Sequence, residues 1–491
     1  MSQRPRSFPR LWTAGLALGV LALLVVPGAV QDVSSGVAWS SPAAPHALGL
    51  ASTGKGVPSV SGQPLAWSRG PSFAQLGEGG GMAATPGGTA AVYFGGLGST
   101  LSNSTEVFNE TTDTWTGPIT TQGFPPSPRT HFAFAADAAL GEDVLFGGET
   151  NLTQQYTDNQ TWIFYPANAS WRHVAAVVAP APRQDPAFAI DPTLGLGLLY
   201  GGWNQTYGGT GSLTYGDTWT LELATNTWVY QPNGLSHPPN LHGASLLWDP
   251  AVHRFELFGG CDPCSNALWR FDPYNLTWSS VATSGGPAGR GDAVWVYDPA
   301  QQLDVLYGGY SATYGVMSNT WTFDPVGGTG WSPDTNAPAP PGRYAASATW
   351  LDVPTNETLL VAGGNGGSGP LTDLWRLAPT STVDVRLLDA ATGSPIDAGT
   401  VTIDRTSLST TNLLGYGNQT QVPPGGTQVM GTKVGYHPGN ASLWVEPGVT
   451  PALVVLDLVP NPHANLTVRV TSPTLAPLSG VDVNVTLGGS L

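Results

Sequence analysis

The stretch Val305–Pro325, VLYGGYSATYGVMSNTWTFDP, decides the fold. An apolar, strand-like segment runs into Gly308-Gly309, a polar loop follows, and Trp321 sits in a second apolar segment. None of these side chains forms a catalytic set. What matters is recurrence, because Gly pairs also stand at Gly95-Gly96, Gly147-Gly148, Gly201-Gly202, Gly259-Gly260 and Gly363-Gly364. Successive spacings are 52, 54, 58, 49 and 55 residues, and the lead-in segments agree: VYFGG, VLFGG, LLYGG, ELFGG, VLYGG and LVAGG.

Other positions keep that register. About ten residues before most pairs lies a turn such as Asp191-Pro192, Asp249-Pro250 or Asp298-Pro299, with Thr85-Pro86, Asp137 and Asp352 as variants. Eight residues before that Asp stands Arg129, Arg183 or Arg290, and Arg343 lies one residue further back from Asp352. Leu241 and Gly77 occupy the position in the other two repeats. A fourth strand begins at Trp115, Trp171, Trp228, Trp278 and Trp331, one Trp short for six Gly pairs. Trp67 lies 28 residues before Gly95, close to the 30 to 32 of the other repeats, so the N-terminal segment is expected to supply the outer strand of the last blade. A period near 50 with these marks resembles the kelch repeat, four strands to a propeller blade. The resemblance covers about residues 60–379, and includes the central domain of galactose oxidase among its relatives. It implies an all-β, six-bladed propeller over 65–379, closed by an N-terminal strand. Glu106 departs from the pattern, standing where other repeats have a third-strand Trp, and the first inner strand, GEGGGMAAT, is almost all small residues.

After Pro379 the Gly-pair mark ends and strand alternation continues through TVDVRLLDAATGSPIDAGTVTI and PALVVLDLVP. Residues 380–460 resemble the carboxypeptidase regulatory-like, transthyretin-type β-sandwich. LTVRVTSPTLAPLSGVDVNV lines up with the opening strands at an offset of about 82 residues, so 461–491 is expected to start a second, truncated copy. Two strands bury no core; a longer protein, with a membrane anchor beyond Leu491, is the expected explanation, and packing of these strands on a neighbour is the alternative.

The chain has 491 residues, only 10% of them charged against roughly 25% in ordinary soluble domains. Eighteen Trp argue against disorder, and a net charge of −16 argues against a nucleic-acid partner. Arg4, Arg6 and Arg10 precede an apolar run from Leu11 to Val26. Residues 1–30 therefore read as a signal peptide or N-terminal anchor, followed by a Ser/Pro/Gly-rich linker over 31–64. Sequons at Asn103, Asn109, Asn151, Asn159, Asn168, Asn204, Asn275, Asn356, Asn418, Asn440, Asn465 and Asn484 fit an extracellular or cell-surface glycoprotein. A composition rich in Asn and Thr also produces sequons by chance.

Chemistry is sparse. Cys261 and Cys264 are the only cysteines, and in an exported protein they are expected to form a loop disulfide. Two residues after the repeat Arg come His131, Asp185 and Asp292, with Gly243 and Ala345 in other repeats, so polar groups are expected to converge near the channel mouth. Solvated polarity rather than a metal site is the expectation there. Arg290-Gly291-Asp292 spells an integrin tripeptide, but the repeat register explains all three residues. The copper site of galactose oxidase has no match, nor does any nucleophile–base pair, so an enzyme is the less favoured reading and no cofactor is expected. A binding surface remains. Trp203, Tyr207 and Tyr215 lie on the longest loop, with Tyr156, Tyr310 and Tyr314 on its neighbours. The kelch resemblance implies that Arg129, Arg183, Arg290 and Arg343 line a ligand face; the alternative is that they pair with Asp or pack loops. The expected function is non-enzymatic recognition of a protein or glycan at the cell surface, with membrane association only through the N-terminal segment or a missing C-terminal anchor. The alternatives are a structural envelope component and a carbohydrate-active enzyme.

Overall fold

The computed structural model describes residues 64–205, 211–327, 330–334, 339–351, 357–404, 407–445, 452–460 and 468–471. The expected export segment, the linker, Tyr207 and everything after Thr471 lie outside the described residues. Among the described residues, no helix is long and apolar enough to cross a membrane.

Residues 64–379 form six four-stranded antiparallel blades. Their inner strands are Gly81–Ala84, Ala133–Asp137, Ala187–Asp191, His242–Asp249, Val294–Asp298 and Ser347–Leu351. Each touches the next, and the last touches the first, so the ring is closed. Leu65–Arg69 is the outer strand of blade 6, antiparallel to Leu374–Pro379 with Leu65 opposite Pro379 and Arg69 opposite Trp375. The six-bladed propeller closed by its N-terminal strand is therefore the fold.

Two repeated devices bind blade to blade. The first is the outer-strand Trp, whose ring lies on the aromatic residue that precedes the Gly pair of the previous blade. Trp171 meets Phe94 at 4.6 Å, Trp228 meets Phe146 at 5.0 Å and Trp278 meets Tyr200 at 5.2 Å. Trp331 meets Phe258 at 4.9 Å, and Trp67 meets Tyr307 at 4.9 Å. Four of these indoles also donate to a threonine hydroxyl of that previous blade: Trp67 to Thr320, Trp171 to Thr105, Trp228 to Thr161 and Trp278 to Thr218. Blade 1 differs because its predecessor carries Ala362 where the others have an aromatic; Trp115 stacks on Phe73 at 5.3 Å instead.

The second device is the Gly pair. It follows the second strand in five blades and lies within it in blade 4, Arg254–Cys261, and its first glycine faces the backbone carbonyl of the residue at the repeat-Arg position of the next blade. A Cβ on Gly308 would lie 2.5 Å from the Arg343 oxygen, at φ 73°, which is strained for any other residue. The second glycine donates its N–H to that same carbonyl in all six junctions, from Gly96 to Arg129 at 2.9 Å round to Gly364 to Gly77 at 2.9 Å. Absence of a side chain thus allows the blades to approach closely enough to share a hydrogen bond.

Beyond the propeller, two four-stranded sheets face each other across a core that includes Val385, Leu387, Val429 and Leu456. One sheet runs Tyr416–Val422, Ser381–Asp389, Ala452–Leu458, Val468–Thr471; the other runs Ser407–Thr410, Thr400–Ile403, Gly425–Thr432, Gly439–Val445. Val468–Thr471, expected to open a second copy, pairs antiparallel with Ala452–Leu458 at the edge of the first of these sheets. Pairing covers an apolar edge that would otherwise be exposed. Arg376 links blade 6 to blade 1 through Glu110 at 2.8 Å and also through Asp113, and its guanidinium lies 5.6 Å from the Trp444 ring of the sandwich.

Candidate functional site: a carboxylate-lined channel mouth

Just before each inner strand one residue adopts a left-handed backbone: Gly79, His131, Asp185, Gly243, Asp292 and Ala345, with φ between 50° and 63°. This turn swings the chain from the blade-to-blade connection into the inner strand. It also directs the N–H of each residue to the carbonyl of its counterpart in the previous blade: His131 to Gly79, Asp185 to His131, Gly243 to Asp185, Asp292 to Gly243, Ala345 to Asp292 and Gly79 to Ala345, at 2.7–2.9 Å. The six bonds form a closed circle round the channel. A non-glycine left-handed residue costs on the order of 1 kcal/mol, which the bond to the neighbour offsets. Gly, Asp and His tolerate that backbone best, which accounts for five of the six positions.

The circle frames a cavity of about 140 Å³ whose lining includes His131, Asp185 and Asp292. The three polar residues expected to converge do so. His131 Nδ1 lies 2.6 Å from Asp185 Oδ1, and its Nε2 lies 3.6 Å from Glu78 Oε1. Burial disfavours the imidazolium, but Asp185 and Glu78 outweigh it and hold the pKa well above the usual histidine range. Burial pushes Asp185 and Glu78 the other way, and the hydrogen bonds and charge of His131 bring both below the usual carboxylate range. Asp292 has no such partner. Burial first, then the charges of Asp185 and Glu78, push it up to about 7 despite His131. Glu149 is also raised by burial, with Asp185 and Glu78 adding to the effect against His131. The mouth therefore gathers four carboxyl groups around one imidazolium.

An outer tier comes from the residue two places after the first glycine of each pair. Glu149, Trp203, Tyr310 and Asn365 bridge to Thr130, Gln184, Gly291 and Tyr344, and Cys261 pairs with His242 in the same register. Trp203 donates its indole N–H to Asp185 Oδ2 at 3.0 Å and stacks on His242 at 5.3 Å. Tyr310, 41% exposed, lies 5.5 Å from Tyr344. Asn365 donates to Glu78 Oε2 at 2.8 Å. Glu78, Glu149, Tyr344 and Asn365 were not singled out in the sequence. The register would have found them, because Glu78 and Tyr344 directly precede mouth positions and the other two align with Trp203.

The other predicted residues scatter. Tyr314 is exposed beside Cys264 in a separate groove of about 540 Å³ between blades 4 and 5. Cys261 and Cys264 are joined by a disulfide. The Tyr215 ring lies 4.0 Å from the Arg183 guanidinium, and Tyr156 is exposed on its own loop. The four arginines are buried. Each donates Nη1 to the carbonyl of the first glycine of its own blade's pair, at 2.7–2.9 Å. Arg129, Arg183 and Arg343 then pair with Asp158, Asp217 and Asp373, while Arg290 meets the neutral Asn319. Lacking a carboxylate, the Arg290 guanidinium is lowered by burial to about 10. The same burial withdraws the basic member of the Arg-Gly-Asp tripeptide from solvent, while Asp292 faces the mouth. Asn204, a sequon residue, is only 8% exposed and donates to the Pro182 carbonyl at 3.2 Å, so it is not presented for glycosylation.

Residues 78–260 match the sequence model of the KLHDC2/KLHL20/DRC7 kelch-repeats domain. The chain is 27% identical over 234 residues to the alpha chain of the flagellar outer arm dynein of Chlamydomonas reinhardtii, covering 45% of this chain and 5% of that protein. It is 30% identical over 172 residues to the human multiple epidermal growth factor-like domains protein 8, covering 33% and 6%. The chain thus spans a small fraction of these relatives. The solved structure of YjhT aligns with a TM-score of 0.49 at 18% identity, covering 63% of this chain and 97% of that one. Kelch repeats in general mediate protein binding.

Proposed function

We propose that this is an exported, cell-surface recognition protein, without catalytic activity of its own, that seats a basic group of a protein partner in the channel mouth. The observation that carries it is the imbalance at that mouth: Asp185 and Asp292 line a cavity of about 140 Å³, Glu78 and Glu149 add their charge from beside His131, and among the described lining residues His131 alone supplies positive charge. A lysine or arginine side chain, or a chain N-terminus, would bring the missing charge. Trp203, Tyr310 and Tyr344 stand where aromatic faces can hold the stem of such a side chain or its charge. The Cys261–Cys264 disulfide and the basic-then-apolar N-terminus support an oxidising, exported setting.

The full chain is tested on arrays of basic, acidic and neutral peptides, with Asp292→Asn as comparison. Saturable, salt-sensitive binding of basic peptides that weakens about tenfold or more in the variant is the expected result. Equal binding of neutral or acidic peptides, or none, overturns it. A glycan reading draws support from exposed Tyr314 beside Asn266 and Asp262 in the second groove; glycan-array binding lost in Tyr314→Ala but kept in Asp292→Asn would favour it.

A further inference from the structure

Between blades 4 and 5, towards the end opposite the channel mouth, lie three fully buried carboxyl groups. Asp249 ends the inner strand of blade 4, Glu256 lies on its second strand, and Asp304 lies on the second strand of blade 5. One ligand oxygen from each falls within 4.8 Å of the other two. Among the described residues the cation paired with the group is Arg270, whose Nε lies 2.5 Å from Glu256 Oε1 and whose Nη2 donates to the Pro325 carbonyl at 2.9 Å. The ionised cluster therefore carries a net charge of −2 in the interior.

The internal repeats show how unusual this is. At the position of Glu256 the other five blades place Val92, Val144, Leu198, Val305 and Leu360, all buried. A charged group thus replaces an apolar core residue beside two further acids. Four of the oxygens, Asp249 Oδ2, Glu256 Oε2 and both of Asp304, meet no N–H or O–H donor among the described residues, and Glu256 and Asp304 can bond each other only by sharing a proton. Asp249 Oδ1 is taken by the Ala251 N–H at 2.7 Å, which turns Oδ2 free for another ligand. Buried, unpartnered carboxylate oxygens are strongly disfavoured unless something neutralises them.

We propose that Asp249, Glu256 and Asp304 bind a calcium ion that ties blade 4 to blade 5. Calcium–oxygen distances of about 2.3–2.6 Å place two ligands on opposite sides of one ion about 4.6–5.2 Å apart, a span that accommodates this triangle. A divalent charge cancels the −2. Calcium accepts a fully protein-lined, partly bidentate oxygen shell, whereas magnesium dehydrates reluctantly and keeps several waters. The site lies apart from the channel mouth and does not depend on how that mouth is used.

The full chain, purified without chelator, is analysed for bound metal by mass spectrometry, then stripped with chelator and melted with and without calcium. About one calcium per chain is expected, and re-addition at roughly 100-fold over Kd should raise Tm by about 5 °C. Asp304→Asn should abolish that calcium-dependent rise; Glu256→Gln serves the same purpose if the first variant fails to fold. Absence of bound calcium together with a calcium-independent Tm overturns the proposal, and leaves shared protons as the neutralising species. A calcium-dependent rise that persists in both variants also overturns it, by placing the ion elsewhere.

Discussion

Replacing Trp67 by Ala tests whether ring closure holds the propeller together. Trp67 is 1% exposed, its ring lies 4.9 Å from Tyr307, and its indole donates to Thr320 Oγ1 at 3.1 Å. It therefore joins the outer strand of blade 6 to blade 5. A buried Trp→Ala change costs about 3–5 kcal/mol through lost apolar burial and the cavity left behind. Loss of the indole donor adds about 1 kcal/mol. A total near 5 kcal/mol would consume much of the roughly 5–15 kcal/mol of a typical domain. With a urea slope of about 3 kcal/mol/M, the midpoint should fall by roughly 1.5 M. Urea unfolding of the full chain followed by far-ultraviolet circular dichroism measures this, with Trp115→Ala as control. Trp115 is only half-buried and has no aromatic residue before the preceding Gly pair to meet, so it should cost less than half as much. An unchanged midpoint in Trp67→Ala would refute the closure argument. So would a separate early transition, which would show blade 6 melting without the ring.

Three further outcomes are expected. Arg343→Met leaves Asp373 buried without its bidentate partner and should destabilise the chain by about 3–5 kcal/mol, measured as a fall in Tm; adding Asp373→Leu should recover part of the loss. Binding of a basic peptide should weaken as pH falls below about 7, because Asp292 takes up a proton there, and Asp292→Asn should remove that part of the dependence. The stability contributed by His131 has the opposite sense. Its folded pKa is raised, so its contribution is complete below about 6.5 and is lost as pH rises through the folded value. Calorimetry and thermal scans across pH separate the two.

The repeat could be read from the sequence because each of its marks answers a local, repeated demand. A glycine is needed where a blade backbone approaches its neighbour at positive φ, and a Trp is needed where the gap between blades widens. Six copies of the same demand leave six copies of the same residues, and Trp67 could be placed in register even across the chain termini. The role of the repeat arginines was not decided in that way. Arg183 on a ligand face and Arg183 against Asp217 look alike in one dimension, since the partner lies 34 residues away. Nor does alternation alone show that Val468–Thr471 pairs with Ala452–Leu458, because a period of two marks a strand but not its partner.

The sequence by itself determined the number of blades, the circular joint and the positions that face the channel, because these repeat along the chain and depend on backbone sterics and apolar volume. Only the tertiary structure decided where charge accumulates. Glu78, His131, Asp185 and Asp292 come from four different blades, as Asp249 and Asp304 come from two, and Coulomb interactions depend on distance in space rather than on separation along the chain.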